Sequence, residues 1–421
     1  MRRTKPHRLY AVVAAMLWLA CAGTVGAEPQ LVLDAKQKVV EGTGQLSPPS
    51  LQFDQAGMLR MAWFEKQGDQ RGVYLATIPD GTRPGLTRTQ VNGKGTEPDA
   101  MHQSPGLAVG PTGDAYVTWS MPNKEVPFAA NLLLARSTDG GANFLPPVVV
   151  NDDGTPISHS FEFVQTGPNG DVYLAWLDNR NKDRSGAGAI FACSRDGGVT
   201  VQKNLAVDGM ACPCCRPMTA VSPDGSLWMA WRKTFEGNVR DVVVARSTDE
   251  GKTFSAPALV RRDGWSFPAC PHRGPSIAFD RQGRLYVGWY TEGTDEQPRI
   301  FIATSDDQGK TFSSAQSLHT STTSLPDQFR LAVHPDGLVV AVWEEVTGVR
   351  KRVVMRMSAD RGATFGPVQP LSEGAKAENP TVVIHRSGAV AIGWTEHAWP
   401  NNSIVVQRAR LTVEQHVSQA R

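Results

Sequence analysis

The sequence predicts an all-β protein, a β-propeller of four-stranded antiparallel blades with seven repeat units. Two observations carry this expectation. A turn motif, Ser-x-Asp-x-Gly-x-x-Phe (Val201 closes the second copy), starts at Ser137, Ser194, Ser247, Ser305 and Ser358, at spacings of 57, 53, 58 and 53 residues. A strand pattern that opens on Gly and alternates apolar residues ends on Trp63, Trp119, Trp176, Trp231, Trp289, Trp343 and Trp394, spaced 51 to 58 residues apart. A period near fifty marks an array of supersecondary units, and the period-two alternation of residues 285–289 marks β-strand.

Each unit reads in the same order. A short apolar strand such as residues 275–279 leads into a Pro-Asp-Gly type of turn, as at residues 222–225. The Trp strand follows, then a variable loop and a third apolar strand such as residues 242–245. In five of the seven units the Ser-x-Asp turn comes next, and a fourth strand such as residues 258–260 completes the unit. The turn has a physical logic. Ser and Asp side chains hold nearby backbone N–H groups, Gly accepts positive φ, and the closing Phe plugs the hairpin onto its neighbour. Seven such four-stranded units describe a propeller. The last unit lacks the Ser-x-Asp turn and runs out near Leu411. Residues 31–33 and 38–40 are expected to supply its missing strand, so that the N-terminal strand closes the ring and removes an exposed edge.

The ends of the chain read as targeting and tail. Arg2, Arg3, Lys5 and Arg8 precede an apolar run from Leu9 to Ala22 and a small-residue cleavage site ending at Ala27. Residues 1–27 are therefore expected to be a signal peptide, residues 28–411 the propeller and residues 412–421 a C-terminal tail. The expected location is periplasmic or extracellular, with a lipoprotein anchored at Cys21 as the alternative. No later segment is apolar for long enough to cross a membrane as a helix. Without residues 1–27 the chain keeps 39 basic and 41 acidic residues and shows no basic stripe, which argues against nucleic acid as a partner.

The five Ser-x-Asp-x-Gly-x-x-Phe turns resemble the Asp-box, or BNR repeat, of the sialidase-like propellers, over roughly residues 31–411. The resemblance implies that fold, with the Asp-boxes on turns away from the catalytic face. Sialidases of this type have six blades, which makes a six-bladed fold the alternative to the seven units counted here. The resemblance also implies a set of three arginines that grips a substrate carboxylate, for which Arg216, Arg273 and Arg330, each 57 residues from the next, are the candidates. It implies a tyrosine nucleophile with a carboxylate base, for which Tyr290 and Glu292 are the candidates. The chain departs from the pattern in two ways. The three arginines sit at different offsets from the strand anchors Val221, Phe279 and Val333, and residues 28–59 contain no arginine.

The opposite face carries the loops after each Trp and the segments that lead into each first strand, where ligands bind in radial folds. Two neighbouring segments there hold Cys212, Cys214 and Cys215 ahead of unit four, and Cys270 and His272 ahead of unit five. Two readings stand. One is disulfide bonding, with Cys270 paired to a cysteine of the 212–215 loop. The other is a metal site of Cys212, Cys214, Cys215, Cys270 and His272, whose soft ligands suit Cu or Zn. His102, His159 and His397 share that face, as do the carboxylates Glu65, Asp178, Glu344, Glu345 and Glu396. Cys193, beside an Asp-box, reads as a buried small hydrophobe.

The expected function is an exported protein that binds a ligand or metal on a Cys/His/Arg-rich face, with an incomplete sialidase set. The rivals are an exo-sialidase or other glycoside hydrolase acting on acidic sugars, and a scaffold for another envelope protein. The expected partners are accordingly a small molecule, a glycan or an envelope protein.

Overall fold

The computed structural model describes residues 30–79, 86–98, 103–180, 186–374 and 376–412. The expected signal peptide, Cys21, His102 and all but the first residue of the tail lie outside the described residues. Among the described residues the chain is all-β, with one short 3-10 turn at Glu236–Asn238. Every pairing between named strands is antiparallel, and the strands form seven four-stranded meanders. Unit two is representative: Gly106–Val109, Ala115–Pro122, Ala130–Ser137 and Val148–Val149 pair in chain order. The count of seven thus follows the tryptophan repeat. Units three and four share one sheet, because Leu205–Ala211 also reaches Leu227–Thr234 through the pair Ala211 and Lys233. In unit seven the N-terminal strands Gln30–Leu33 and Gln37–Gly42 both pair with Asn401–Thr412, with Leu31 opposite Leu411 and Lys38 opposite Val405.

Among the described residues no sheet closes on itself through hydrogen bonds. Packing joins the units instead. Their first strands touch in succession, and Ala377–Ile384 of unit seven returns to Ser50–Phe53 of unit one. The seven repeat tryptophans are fully buried, and each sits in an apolar cluster shared with the preceding unit. Trp119 packs with Phe64 and Leu75 of unit one, Trp231 with Tyr173 and Phe191 of unit three, and Trp394 with Val340 and Met355 of unit six. Trp63 packs with Ala391, Ile404 and Val406 of unit seven, so the series is cyclic. A buried indole N–H needs an acceptor, and the expected rim carboxylates supply several. Trp63, Trp176 and Trp394 donate to Glu65, Asp178 and Glu396, each two residues further along the strand.

The Ser-x-Asp turns behave as the sequence implies. In each copy Ser donates to Asp, the motif Gly N–H donates to Ser Oγ, and a later N–H donates to Asp; at Ser305 these bonds are 2.8, 2.9 and 2.9 Å. The motif glycines hold positive φ, from 73° at Gly309 to 93° at Gly141. Phe144, Phe254, Phe312 and Phe365 each plug the cluster between their own unit and the one before. The structure adds a contact that the motif does not encode. Arg60, Arg136, Arg195 and Arg284 each donate to a backbone carbonyl in the next unit's turn, at Gly140, Gly197, Glu250 and Arg361. The turns therefore bind neighbouring units together.

Ser305→Ala leaves the buried Gly309 N–H without its acceptor and is expected to cost about 1–2 kcal/mol in urea unfolding. The turn aspartates Asp139, Asp196, Asp249 and Asp307 have pKa values lowered to about 2, led by side-chain hydrogen bonds from Ser137 or the Thr of each motif. A depressed folded pKa gives stability that is present above the unfolded value and lost as pH falls. Melting temperature should therefore drop between about pH 4 and pH 2. The drop should shrink in a variant with Asp249→Asn and Asp307→Asn.

Candidate functional site

The first strands of all seven units line one cavity of about 750 Å³. Its polar end is built by the segments that lead into those strands, the side expected from the repeat register. Four of its residues hold left-handed backbone without being glycine: Phe161 (φ 60°), His272 (φ 55°), Gln328 (φ 45°) and Asn379 (φ 56°). Three of these form β-bulges, between Ser160 and Phe163, Asp327 and Arg330, and Glu378 and Thr381. A bulge re-aims the side chains beside it, and non-glycine residues in this region store strain that clusters at functional sites. No sequence motif announces them, because the bulge arises from strand pairing.

Arg216, Arg273 and Arg330 all line this cavity, although their offsets within the repeats differ. They are not equivalent. Arg273 is already neutralised by Asp327, through bonds of 2.7 and 2.9 Å, and lies 4.3 Å over the ring of Tyr290. Arg216 donates to Ser104 Oγ and to the Ser104 carbonyl, at 3.0 and 2.8 Å. Arg330 donates to its neighbour's carbonyl, Phe329 O. Among the described residues no carboxylate pairs with Arg216 or Arg330 at ion-pair distance. Both keep part of their surface open to the cavity while protein crowds them on the other sides. Burial and the like charge of Arg216 pull Arg330 down to about 10.

Carboxyl groups surround the arginines in contrasting states. Glu162, in the unit-three bulge, is buried beside Ser120 Oγ at 3.5 Å. Burial pushes it up to about 7, and Arg216 opposes that shift. Lys351 lies between Glu344 at 3.3 Å and Glu378 at 3.0 Å. Burial raises Glu344 to about 7, whereas the hydrogen bond from His397 and the charge of Lys351 hold Glu378 at about 2. His397 reaches Glu378 at 2.9 Å. His159 is instead fully buried between Ala130 O and Asp153 and takes no part in the cavity.

The cysteine expectation is corrected in part. Cys212, Cys214 and Cys215 do converge, with their sulfur atoms within 4.8 Å of one another. Cys270 and His272 do not join them. Cys270 is exposed and unpaired, so the disulfide to the 212–215 loop is not formed, and the five described cysteines are all free. Arg240 stands between the two loops, donating to the Ala269 carbonyl at 2.6 Å and to Cys212 Sγ at 3.4 Å. His272 lies in the cavity wall and sets its ring against Phe161, centroids 5.5 Å apart. Hydrogen bonds from Cys214 and Cys215 lower the Cys212 thiol, while burial and that sharing raise the other two. Cys193 is buried and raised by desolvation, as a small core residue should be.

Tyr290 and Glu292 are hydrogen-bonded at 2.6 Å. The Tyr290 ring, however, belongs to the core between units five and six, against Trp265 and Ile300. Burial raises its pKa, which opposes formation of a phenolate. Strand alternation explains the placement, since the residue after an inward Trp points to the other face of the sheet.

A raised folded pKa makes an ionised Glu162 unfavourable, so its contribution favours the fold at low pH and is lost as pH rises through about 7. Glu162→Gln should therefore leave the melting temperature unchanged near pH 5 and raise it near pH 8, as read by scanning calorimetry.

Comparison with known proteins agrees with this architecture. A family model described as a BNR repeat-like domain matches residues 242–418. No curated protein matches the chain. Among solved structures, an ulvan lyase of the polysaccharide lyase class, bound to -[GlcA(1-4)Rha3S]-, superposes with a TM-score of 0.58 at 11% identity, covering 84% of this chain and 90% of that one. The Hadza microbial sialidase Hz136 gives 0.50 at 17% identity, covering 84% and 73%. An alpha-L-arabinanase of Penicillium chrysogenum, complexed with arabinobiose, gives 0.50 at 14% identity, covering 73% and 92%. At these identities the likeness is one of fold. The repeat-domain match over residues 242–418 takes in three of the five Asp-box turns, those that start at Ser247, Ser305 and Ser358.

Proposed function

We propose that the chain is an exported, seven-bladed β-propeller that binds an acidic glycan in the cavity between its first strands. The observation that carries this reading is the pair Arg216 and Arg330, two guanidinium groups on one cavity wall without carboxylate partners among the described residues. A crowded charge without a counter-ion is costly, and a sugar carboxylate or sulfate accepts from guanidinium with charge-assisted bonds. The propeller itself is supported by the cyclic packing of the first strands and by the cluster of Trp63 with unit seven. Two structurally similar proteins are a sialidase and a lyase bound to a glucuronate-containing ligand, which favours a glycan over a small metabolite.

Hydrolysis is the second reading, favoured by one observation. Glu344 and Glu378 flank Lys351 with pKa values pushed apart, one near 7 and one near 2. Glycoside cleavage uses one proton-bearing and one ionised carboxyl group flanking the scissile bond; here Glu378 lines the cavity and Glu344 lies buried behind Lys351. Tyr290 and Glu292 are not assigned to that reaction, since the ring faces the core.

Binding is tested on an array of sialylated, uronate-containing and sulfated oligosaccharides with neutral controls. Acidic glycans should be retained and released by salt, and Arg330→Met or Arg216→Met should weaken retention about 10- to 100-fold. Equal retention of neutral glycans would end the proposal. Turnover of fluorogenic sialosides and uronides separates the two readings: activity lost in Glu378→Gln supports hydrolysis, and inertness with intact binding leaves recognition alone.

A further inference from the structure

Two buried arginines lie beside the three-cysteine cluster without a carboxylate in direct contact among the described residues. Arg232 is fully buried and spends its guanidinium on three carbonyls, Arg240 O at 2.7 Å, Tyr290 O at 2.6 Å and Arg273 O at 3.1 Å. Arg240 is buried too, and donates to the Ala269 carbonyl, to Asn238 and, at 3.4 Å, to Cys212 Sγ. Among the described residues neither forms an ion pair. The nearby Asp263 is engaged by Arg261 and by the indole of Trp289. Buried guanidinium groups are rarely left without a counter-charge.

Asp241 and Asp263 lie at longer range, and the anionic candidate nearest Arg240 is the Cys212 sulfur at 3.4 Å. Cys212 N–H donates to Arg232 O at 2.8 Å, which fixes the first cysteine to the adjoining strand. Cys215 N–H bonds back to Cys212 O at 3.4 Å, and this turn brings the three sulfurs together. All three are buried, and Phe161 packs against them. Cys214 also lines the cavity wall, which provides an access path from solvent. No histidine or carboxylate atom among the described residues joins the group.

We propose that Cys212, Cys214 and Cys215 form a trigonal thiolate site for one Cu(I) ion, with Arg232 and Arg240 as its counter-charges. A sulfur-only donor set selects soft metals. Structural Zn(II) sites take four protein ligands, and only three are present here. Three thiolates around a monovalent ion carry two negative charges, which the neighbouring guanidinium groups of Arg232 and Arg240 stabilise. Binding moves up to three thiol protons to solvent and changes no oxidation state.

The test uses the purified protein, reduced and kept anaerobic, and titrated with Cu(I) against the chelator bathocuproine disulfonate. One equivalent should be withdrawn from the chelator, with sulfur-to-copper absorption in the near ultraviolet. Cys214→Ser should weaken binding at least 100-fold, and Arg240→Met, which removes no ligand, about tenfold. Cys270→Ser should bind as the wild type does. Should Cys214→Ser fail to fold, the copper-edge X-ray absorption spectrum of the wild type decides, with three sulfur neighbours expected and nitrogen or oxygen neighbours overturning the site. Failure to withdraw copper while denatured protein still shows the thiols overturns it, as does preferential retention of Zn(II), or a Cys212–Cys214 disulfide that re-forms after reduction and excludes the metal.

Discussion

The burial of one tryptophan between each pair of neighbouring units is the constraint on which this molecule is built. Among the described residues no hydrogen-bonded ladder joins most of the units, so their mutual position depends on side chains that fill the space between sheets. An indole is large and flat, and a packed interior tolerates few voids. Each tryptophan stands on the second strand of its sheet, where pairing on both sides satisfies the backbone, and it presses on the unit before. Removing it would open a cavity that two rigid sheets could not collapse to fill. The Asp-box turns then add polar contacts at the periphery, with an arginine of one unit donating to the turn of the next.

Because the second and third strands carry the packing, the first strands are free to deviate at their leading ends. Bulges at Phe161, Gln328 and Asn379 occur there, at the cavity. They turn charged residues toward a common space and leave carboxyl groups in unlike surroundings. Glu162 and Glu344 are pressed into protein and keep their protons to about 7, while Glu378 is surrounded by cationic donors and stays ionised. The same space receives Arg273 already paired and Arg216 and Arg330 unpaired, so equal spacing in sequence produced unequal electrostatics. The cysteine cluster lies just behind that wall, at Phe161, which places the proposed metal and the proposed glycan site in one region without making either depend on the other.

Much of this was legible in the chain. Period-two alternation specifies strands, and the tryptophan and Ser-x-Asp periods specify seven units and their order, since both depend on local backbone chemistry. The pairing of residues 31–33 with residues 409–411 was also legible, because the last unit lacks a strand and the N-terminus offers one. The side of the molecule that carries the arginines and cysteines followed from the same register. Local pattern could not separate Arg273 from Arg216, since the partner that neutralises it, Asp327, lies 54 residues away. Nor could it show that Cys270 points outward while Cys212, Cys214 and Cys215 close on one another. Equivalent repeat positions share a backbone path, but a side chain's direction depends on what the neighbouring unit places beside it. The sequence therefore determined the unit, its count and its facing. Tertiary structure alone decided which charges are paired, which carboxyls are buried and which thiols meet, because these depend on distances between units that no local pattern encodes.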